Sequence, residues 1–441
     1  MKIPQKPKNW QEMLKKDSSE ILKLLENKEV MELVTKYNNK KYLHWNEVRY
    51  REFPKDVKPE YIWALMKIFR NSQYRRFHFG KWAFRYVLLD EFQKKLHLLD
   101  CQAAGRLGSS LDSSNISGIS GQRYIISSLM EEAIASSQLE GAATTRKVAK
   151  ELLRYNKRPR NYSERMIVNG YKTIQKIVQM KEKNITPEQI LELHKGITEG
   201  TLKDKKYEGN FRDNNEVVVG DSLEPDRIYH RPPDYKDVPK LMEQFCVFAS
   251  NDNGEFIHPI MKGIMLHFLI GYIHPFEDGN GRTARTLFYW YVLTRGYWLF
   301  EYMAISRIIL RSKAKYGMAY LHTETDENDL TYFIDYNLTA IEEALHDTEE
   351  YINRKQKEQS EALQLIKSLK NINLRQAEIL KKFIKDSDKS FVVNEIMNTY
   401  GVAYDTARND LLYLARLGYL DKTKIQKKFL FRLSKDKVIN K

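Results

Sequence analysis

The run His274-Pro275-Phe276-Glu277-Asp278-Gly279-Asn280-Gly281-Arg282-Thr283-Ala284-Arg285 leaves this chain fewer folding choices than any other stretch of its sequence. Gly279, Asn280 and Gly281 all tolerate positive φ, and a bend built from them can turn successive backbone N–H groups into one concave anion nest. Upstream lies the apolar stretch Ile264 to Ile273, too short to span a bilayer, and from Arg282 onward the sequence reads as an apolar helix. The bend is therefore expected at a helix N-terminus, where the dipole also favours phosphate.

Each residue type in the run has a chemical use. Arg282 and Arg285, three apart, share one helical face, and their guanidinium forks can grip two successive phosphates. Asp278 is a hard oxygen ligand suited to a Mg²⁺ ion that keeps most of its waters and bridges phosphate oxygens. His274 titrates near neutrality and can accept a hydroxyl proton. Phe276, an aromatic beside a tight loop, is expected to anchor the bend in the core. Together these parts describe a nucleotidyl-transfer site.

The run resembles the signature of the Fic (filamentation induced by cAMP) family, matching His-x-Phe-x-Asp/Glu-Gly-Asn-Gly-Arg-x-x-Arg at every specified position. The resemblance implies a mainly α-helical Fic core that transfers AMP from ATP to a Ser, Thr or Tyr hydroxyl of a target protein, releasing pyrophosphate. It makes His274 the general base and Asp278 the Mg²⁺ ligand. Gly279, Asn280 and Gly281 become the anion hole, Arg282 holds the inner phosphates, and Arg285 holds the γ-phosphate. Because relatives transfer phosphate or phosphocholine, the motif speaks more firmly for the attack than for the group moved.

Two further segments fit the resemblance. In Glu131-Glu132-Ala133-Ile134-Ala135-Ser136-Ser137-Gln138-Leu139-Glu140-Gly141, the pattern Ser136-x-x-x-Glu140-Gly141 looks like the family's inhibitory helix motif. Glu140 ends a helical stretch, Gly141 can take a left-handed cap, and the freed carboxylate can pair with Arg285 in place of a γ-phosphate. The segment from Gly209 through Val217, Val218, Val219 and Gly220 to Ile228-Tyr229-His230-Arg231-Pro232-Pro233 reads as a β-hairpin. In Fic proteins such a flap adds a strand to the target peptide and presents its hydroxyl.

The expected organisation is a mostly helical N-terminal module at 1–105, a Gly/Ser-rich linker at 106–121, the Fic domain with its inhibitory helix at 122–355, and a C-terminal domain at 356–441. An aromatic, partly extended segment is expected around Phe77 to Phe84, and no chemistry is evident in the N-terminal module. The C-terminal order of helix, turn, helix, Gly-aromatic-Leu and basic hairpin resembles a winged helix-turn-helix domain. In that reading Thr406 and Arg408 face duplex DNA, while Lys424, Lys427 and Lys428 supply phosphate contacts. With only Cys101 and Cys246, neither a disulfide framework nor a zinc cluster is expected. The amino terminus has no apolar signal core, and the chain reads as cytoplasmic with no membrane partner. Its net charge of +15 suits acidic partners. The expected partners are ATP, a target protein and DNA, with a homo-oligomer left open. Two alternatives to an autoinhibited transferase remain: a DNA-binding transcriptional regulator whose Fic core senses nucleotide, and an enzyme that removes AMP.

Overall fold

The computed structural model describes residues 2–104, 119–180, 183–221, 224, 226–250, 256–369, 371–385, 390–425 and 428–434. Most of the linker expected at 106–121 lies outside these residues, and helix is already established at Ile119.

The N-terminal module comprises α1 (Trp10–Lys16), α2 (Ser18–Lys23), α3 (Lys28–Thr35), α4 (Trp45–Val48), α5 (Pro59–Gln73), a hairpin of β1 (Arg75–Phe79) and β2 (Trp82–Tyr86), and α6 (Asp90–Leu99). Local chemistry explains the helix starts. Asn9 accepts from the Gln11 and Glu12 amides, Asn27 accepts from that of Val30, and Pro59 opens α5 where no amide partner is needed. The extended segment foreseen around Phe77 to Phe84 is the β1–β2 hairpin, in which those two residues face each other. Its turn passes through Gly80 at φ +58°.

The module docks through α5, whose Lys67 and Arg70 are each only 1% exposed. Lys67 Nζ lies 2.8 Å from Asp326 Oδ1, and Arg70 donates to Tyr332, Asn38 and the Leu43 carbonyl. Tyr42 and Tyr74 both donate to Asp329 Oδ2 at 2.7 Å.

The central domain is helical: α7 (Ile119–Leu139), α8 (Arg146–Arg154), α9 (Tyr162–Gln179), α10 (Pro187–Thr198), α11 (Val238–Ser250), α12 (Pro259–Ile273), α13 (Asn280–Thr294), α14 (Ile305–Arg311), α15 (Lys313–Thr325) and α16 (Thr331–Ser368). Helix α12 is apolar on every side, which fits its burial at the centre of the core. It packs on α13 at Gly263, where a Cβ would sit 3.2 Å from Phe288, Tyr291 and Val292. The two helices joined by the motif loop are thus held at close range. No helix among the described residues is long and apolar enough to cross a membrane.

The hairpin between α10 and α11 is shorter than expected. Among the described residues, only Val219–Gly220 (β3) pairs with Ile228–His230 (β4), and the register shifts between the two β3 residues. Val217 and Val218 therefore precede the strand instead of forming it. Just before them, Arg212 Nη1 donates to the Asn214 carbonyl and to Asn215 Oδ1.

The C-terminal part has its own core, built from α17 (Leu374–Lys385), β5 (Phe391–Val392), α18 (Val393–Tyr400), α19 (Tyr404–Arg416), β6 (Leu420–Ile425) and β7 (Lys428–Leu433). Its sheet order is β5-β7-β6. Gly401, at φ +62°, ends α18 and starts the turn to α19. Thr406 and Arg408 lie half-buried on α19, Lys424 is exposed on β6, Lys428 opens β7, and Lys427 lies outside the described residues. Helix α16 runs unbroken through positions 355 and 356.

Candidate active site

The motif loop is fixed before any ligand is considered. His274 is the left-handed cap of α12, at φ +48°, a conformation uncommon for a non-glycine residue. Arg212 holds this conformation from outside: its Nε donates to the His274 carbonyl and its backbone N–H to that of Pro275, both at 2.9 Å. The next anchor is Phe276, fully buried and stacked on His194 with ring centres 3.7 Å apart. Asn280 closes the bend by accepting from the Phe276 amide at 3.0 Å and donating to its carbonyl at 2.8 Å. Gly279, at φ +85°, then turns the chain into α13. The first amides of that helix have no intrahelical acceptor, so the nest is aimed outward from a helix N-terminus.

His194 is in a single tautomer. Its Nε2 donates to the Asp278 carbonyl at 2.8 Å, while its Nδ1 accepts from the Gly209 amide at 3.1 Å. Burial drives its pKa down to about 4, which keeps this bridge neutral.

His274 is neutral for the same reason. Burial lowers its pKa to about 4; the Gly271 carbonyl opposes the shift, and the His230 and Arg212 charges add to it. Its Nδ1 lies 3.3 Å from the Gly271 carbonyl, so the proton resides on Nδ1 and the lone pair on Nε2. A neutral imidazole with one free nitrogen can accept a proton.

The two motif arginines have different surroundings. Arg282, 3% exposed, donates to the Ile197 carbonyl at 3.2 Å and lies 3.4 Å from Asp278 Oδ2. Its Nε has no partner among the described residues, a buried donor that an anion in the nest would satisfy. Arg285 is fully engaged. Its Nε donates to Ser136 Oγ at 2.9 Å, and Nη2 to the Ser136 carbonyl at 3.0 Å and to Glu140 Oε1 at 2.8 Å. Burial would raise the Glu140 carboxyl, yet the Arg285 charge and hydrogen bond hold it below the usual carboxylate range.

Glu140 reaches Arg285 because α7 ends there. Gly141 is left-handed at φ +92°, its amide bonds to Gln138, and that of Ala142 bonds to Ser137, the double closure of a Schellman cap. Lys313 Nζ adds a bond to the Leu139 carbonyl at 2.8 Å. Gly281 leaves room for the carboxylate, since a Cβ there would come within 2.2 Å of Glu140 Oε1.

The hairpin is pinned to the same place. His230 Nε2 donates to the Tyr272 carbonyl and Nδ1 meets Glu324 Oε2, both at 2.7 Å. Burial opposes a charge on the ring, but the Glu324 carboxylate outweighs it and raises the His230 pKa.

Asp278 has a side chain 45% exposed, with Tyr162 Oη 3.4 Å from Oδ2. No cluster of three or more potential metal ligands occurs among the described residues. One open carboxylate beside an anion nest fits Mg²⁺, which binds through few protein oxygens and shares its shell with phosphates and water.

The structure therefore brings His274, Asp278, Gly279, Asn280, Gly281, Arg282 and Arg285 together with Ser136, Glu140 and Gly141. It leaves Thr406, Arg408 and Lys428 on the separate C-terminal core. Residue-by-residue reading missed His194, Arg212, His230 and Lys313. All four act across tertiary contacts, which no local pattern discloses.

Comparison with known proteins places the site in a family. Residues 184–292 match the Fic/DOC family. The chain is similar to protein adenylyltransferase Fic of Drosophila melanogaster, 35% identical over 114 residues that cover 26% of this chain and 21% of that one. The Drosophila ananassae protein of the same name is 36% identical over 121 residues, covering 27% and 22%. The chain thus spans about a fifth of the length of these curated relatives. A solved structure of Fic-1 from C. elegans shares the fold, with a TM-score of 0.50 at 16% identity over 76% of this chain and 86% of that one. On its motif and these matches, residues 184–292 of the chain form a Fic/DOC family domain.

Proposed function

We propose that this protein is an autoinhibited, Mg²⁺-dependent protein adenylyltransferase that moves AMP from ATP to a Ser, Thr or Tyr hydroxyl of a target protein. The observation that carries the reading is the shared position of a neutral His274, an open anion nest and an Arg285 held by Glu140. The target oxygen attacks the α-phosphorus and forms the new P–O bond. The bond from that phosphorus to the α–β bridging oxygen breaks, pyrophosphate leaves, and the hydroxyl proton passes to His274 Nε2. Arg282 and the α13 amides bind the phosphates, while Arg285 takes the γ-phosphate once Glu140 gives way. Asp278 would hold Mg²⁺, which supplies charge neutralisation at the phosphates. The β3–β4 hairpin, pinned by His230 and Arg212, offers a short edge for the target backbone.

The C-terminal core serves in this proposal as a winged helix-turn-helix domain that meets duplex DNA through α19 and the β6–β7 hairpin. Exposed Lys422 and Lys424 on β6 support this reading. Duplex binding that weakens steeply with salt is expected, and binding absent at low ionic strength would leave the domain a protein-docking role.

The enzymatic reading is tested with labelled ATP, Mg²⁺ and purified protein, read by mass spectrometry as added AMP. Glu140→Gly should label itself more than wild type by roughly 5–150-fold. His274→Ala in that background should lose about 10²–10⁴-fold of the labelling while still binding ATP. Unlabelled protein in every case would favour the nucleotide-sensing regulator. Release of AMP from a modified target by wild type would favour AMP removal.

A further inference from the structure

The contact between α7 and α13 extends beyond the Ser136/Glu140 motif. Four residues before Ser136 stands Glu132, 2% exposed, and four residues after Arg285 on α13 stands Tyr289, 3% exposed. Tyr289 Oη donates to Glu132 Oε2 at 2.8 Å. The two helices thus meet in three successive rungs: Glu132 with Tyr289, Ser136 with Arg285, and Glu140 beside Gly281 with its carboxylate on Arg285. Positions spaced by four on each helix share a face, so these rungs form one polar stripe between antiparallel helices.

The Glu132 rung is the deepest of the three and is tied to more than α13. The Ser306 amide donates to Glu132 Oε2 at 2.8 Å, and Ser306 Oγ donates to Oε1. Tyr289 Oη also lies 3.0 Å from the Met303 carbonyl and accepts from the Ile305 amide at 2.8 Å. One carboxylate on α7 therefore joins α13 to the start of α14. A buried carboxylate is costly unless its oxygens are satisfied, and here both are. Such an arrangement specifies one sliding position of α7 along α13, because a shift of one residue would carry Glu132 away from all three donors.

We propose that Glu132 is a positioning residue for inhibition: it sets the register of α7 on α13 and so delivers Glu140 to Arg285. Glu132 is not a catalytic residue, since its partners are Tyr289 and Ser306 and none of the groups placed on the nucleotide. The inhibitory element in this chain is then the longer pattern Glu132-x-x-x-Ser136-x-x-x-Glu140-Gly141. The inference rests on the inhibitory role assigned to Glu140 above.

The test is self-labelling of the full chain with ATP and Mg²⁺, scored by intact mass together with thermal unfolding. Glu132→Ala should raise labelling several-fold or more, within the roughly 5–150-fold range of a coupling between two sites. Glu132→Gln, which keeps an acceptor and adds a donor that Ser306 Oγ can receive, should rescue most of the inhibition. Tyr289→Phe removes one of the three donors to Glu132, together with the acceptor of the Ile305 amide, without touching α7 and should give a smaller rise. The decisive arm is the Glu140→Gly background, where Glu132→Ala should add nothing because there is no carboxylate left to place. If Glu132→Ala does not fold, Tyr289→Phe and Ser306→Ala decide: a rise in labelling supports the proposal and wild-type labelling in both overturns it. Activation by Glu140→Gly with none from Glu132→Ala or Tyr289→Phe sinks this inference alone. No activation by Glu140→Gly sinks the inhibitory reading beneath it.

Discussion

Two buried charge clusters in this protein are built from similar parts and differ in how far solvent reaches them. Between the N-terminal module and the core, Lys67 and Arg70 face Asp326, Arg70 also donates to Tyr332, Tyr42 and Tyr74 donate to Asp329, and every charged side chain is at most 2% exposed. In the active site, Arg285 is 3% exposed, but its partner Glu140 keeps 30% of its side chain open. The first cluster has no route by which another anion can replace its carboxylates. The second is a guanidinium already desolvated and oriented, closed by one carboxylate at the lip of the proposed phosphate nest. The two clusters differ in the accessibility of the anion, which is what the proposed exchange at Arg285 requires.

The contrast is tested first at the joint. Asp326→Ala leaves Lys67 and Arg70 buried without their carboxylate, and removing one partner of a buried pair typically costs about 3–5 kcal/mol. Urea denaturation should show a loss of that size, while labelling of the surviving folded protein stays at the wild-type level. A loss below about 1 kcal/mol would mean that water reaches this interface.

The exchangeable site is tested next. Combining Glu140→Gly with Arg285→Ala should abolish most of the roughly 5–150-fold gain expected from the single change, because the freed arginine is what receives the phosphate. Undiminished labelling of the double variant would show that Glu140 restrains some other group.

The smallest expected effect is one of pH. Burial lowers His274 to about 4, so its base form is already complete at neutrality. Transfer by Glu140→Gly should therefore remain flat from pH 8 to about 5 and fall only as protonation sets in near 4, whereas an ordinary histidine would be half protonated near 6.5. The stability linkage has the same sign. With a folded-state value below that of the unfolded chain, the neutral ring favours the fold above about pH 6.5, and the advantage shrinks as pH falls toward 4. A rate that halves near pH 6.5 would show that His274 becomes solvated in the active state.

These two regions also differ in how far the sequence discloses them. The site was legible because most of its parts are contiguous: one bend forces Gly279 left-handed, and one helix start carries both arginines. Glu140 could be placed because a glycine follows it at a helix end, a local rule. The N-terminal joint could not be read, since Lys67 and Arg70 look like the polar side of an amphipathic helix until Asp326 arrives from far along the chain. His194 and His230 stayed hidden for that reason, each a lone histidine whose purpose depends on partners from other elements. The hairpin was read too long: a β-branched run favours extended chain, but pairing needs a partner strand, and β4 is only Ile228–His230.

Helix α16 carries a further consequence. It runs without interruption from Thr331, beside the N-terminal joint, to Ser368 at the approach to the C-terminal core. At 1.5 Å per residue a helix of 38 residues is about 57 Å long. A flexible tether would raise the local concentration of a bound partner while letting it tumble and offer many hydroxyls in turn. A strut fixes distance and direction instead. Here α18 of the C-terminal core also rests on α7, the helix that ends at Glu140, so the orientation of that core to the site is set at two places.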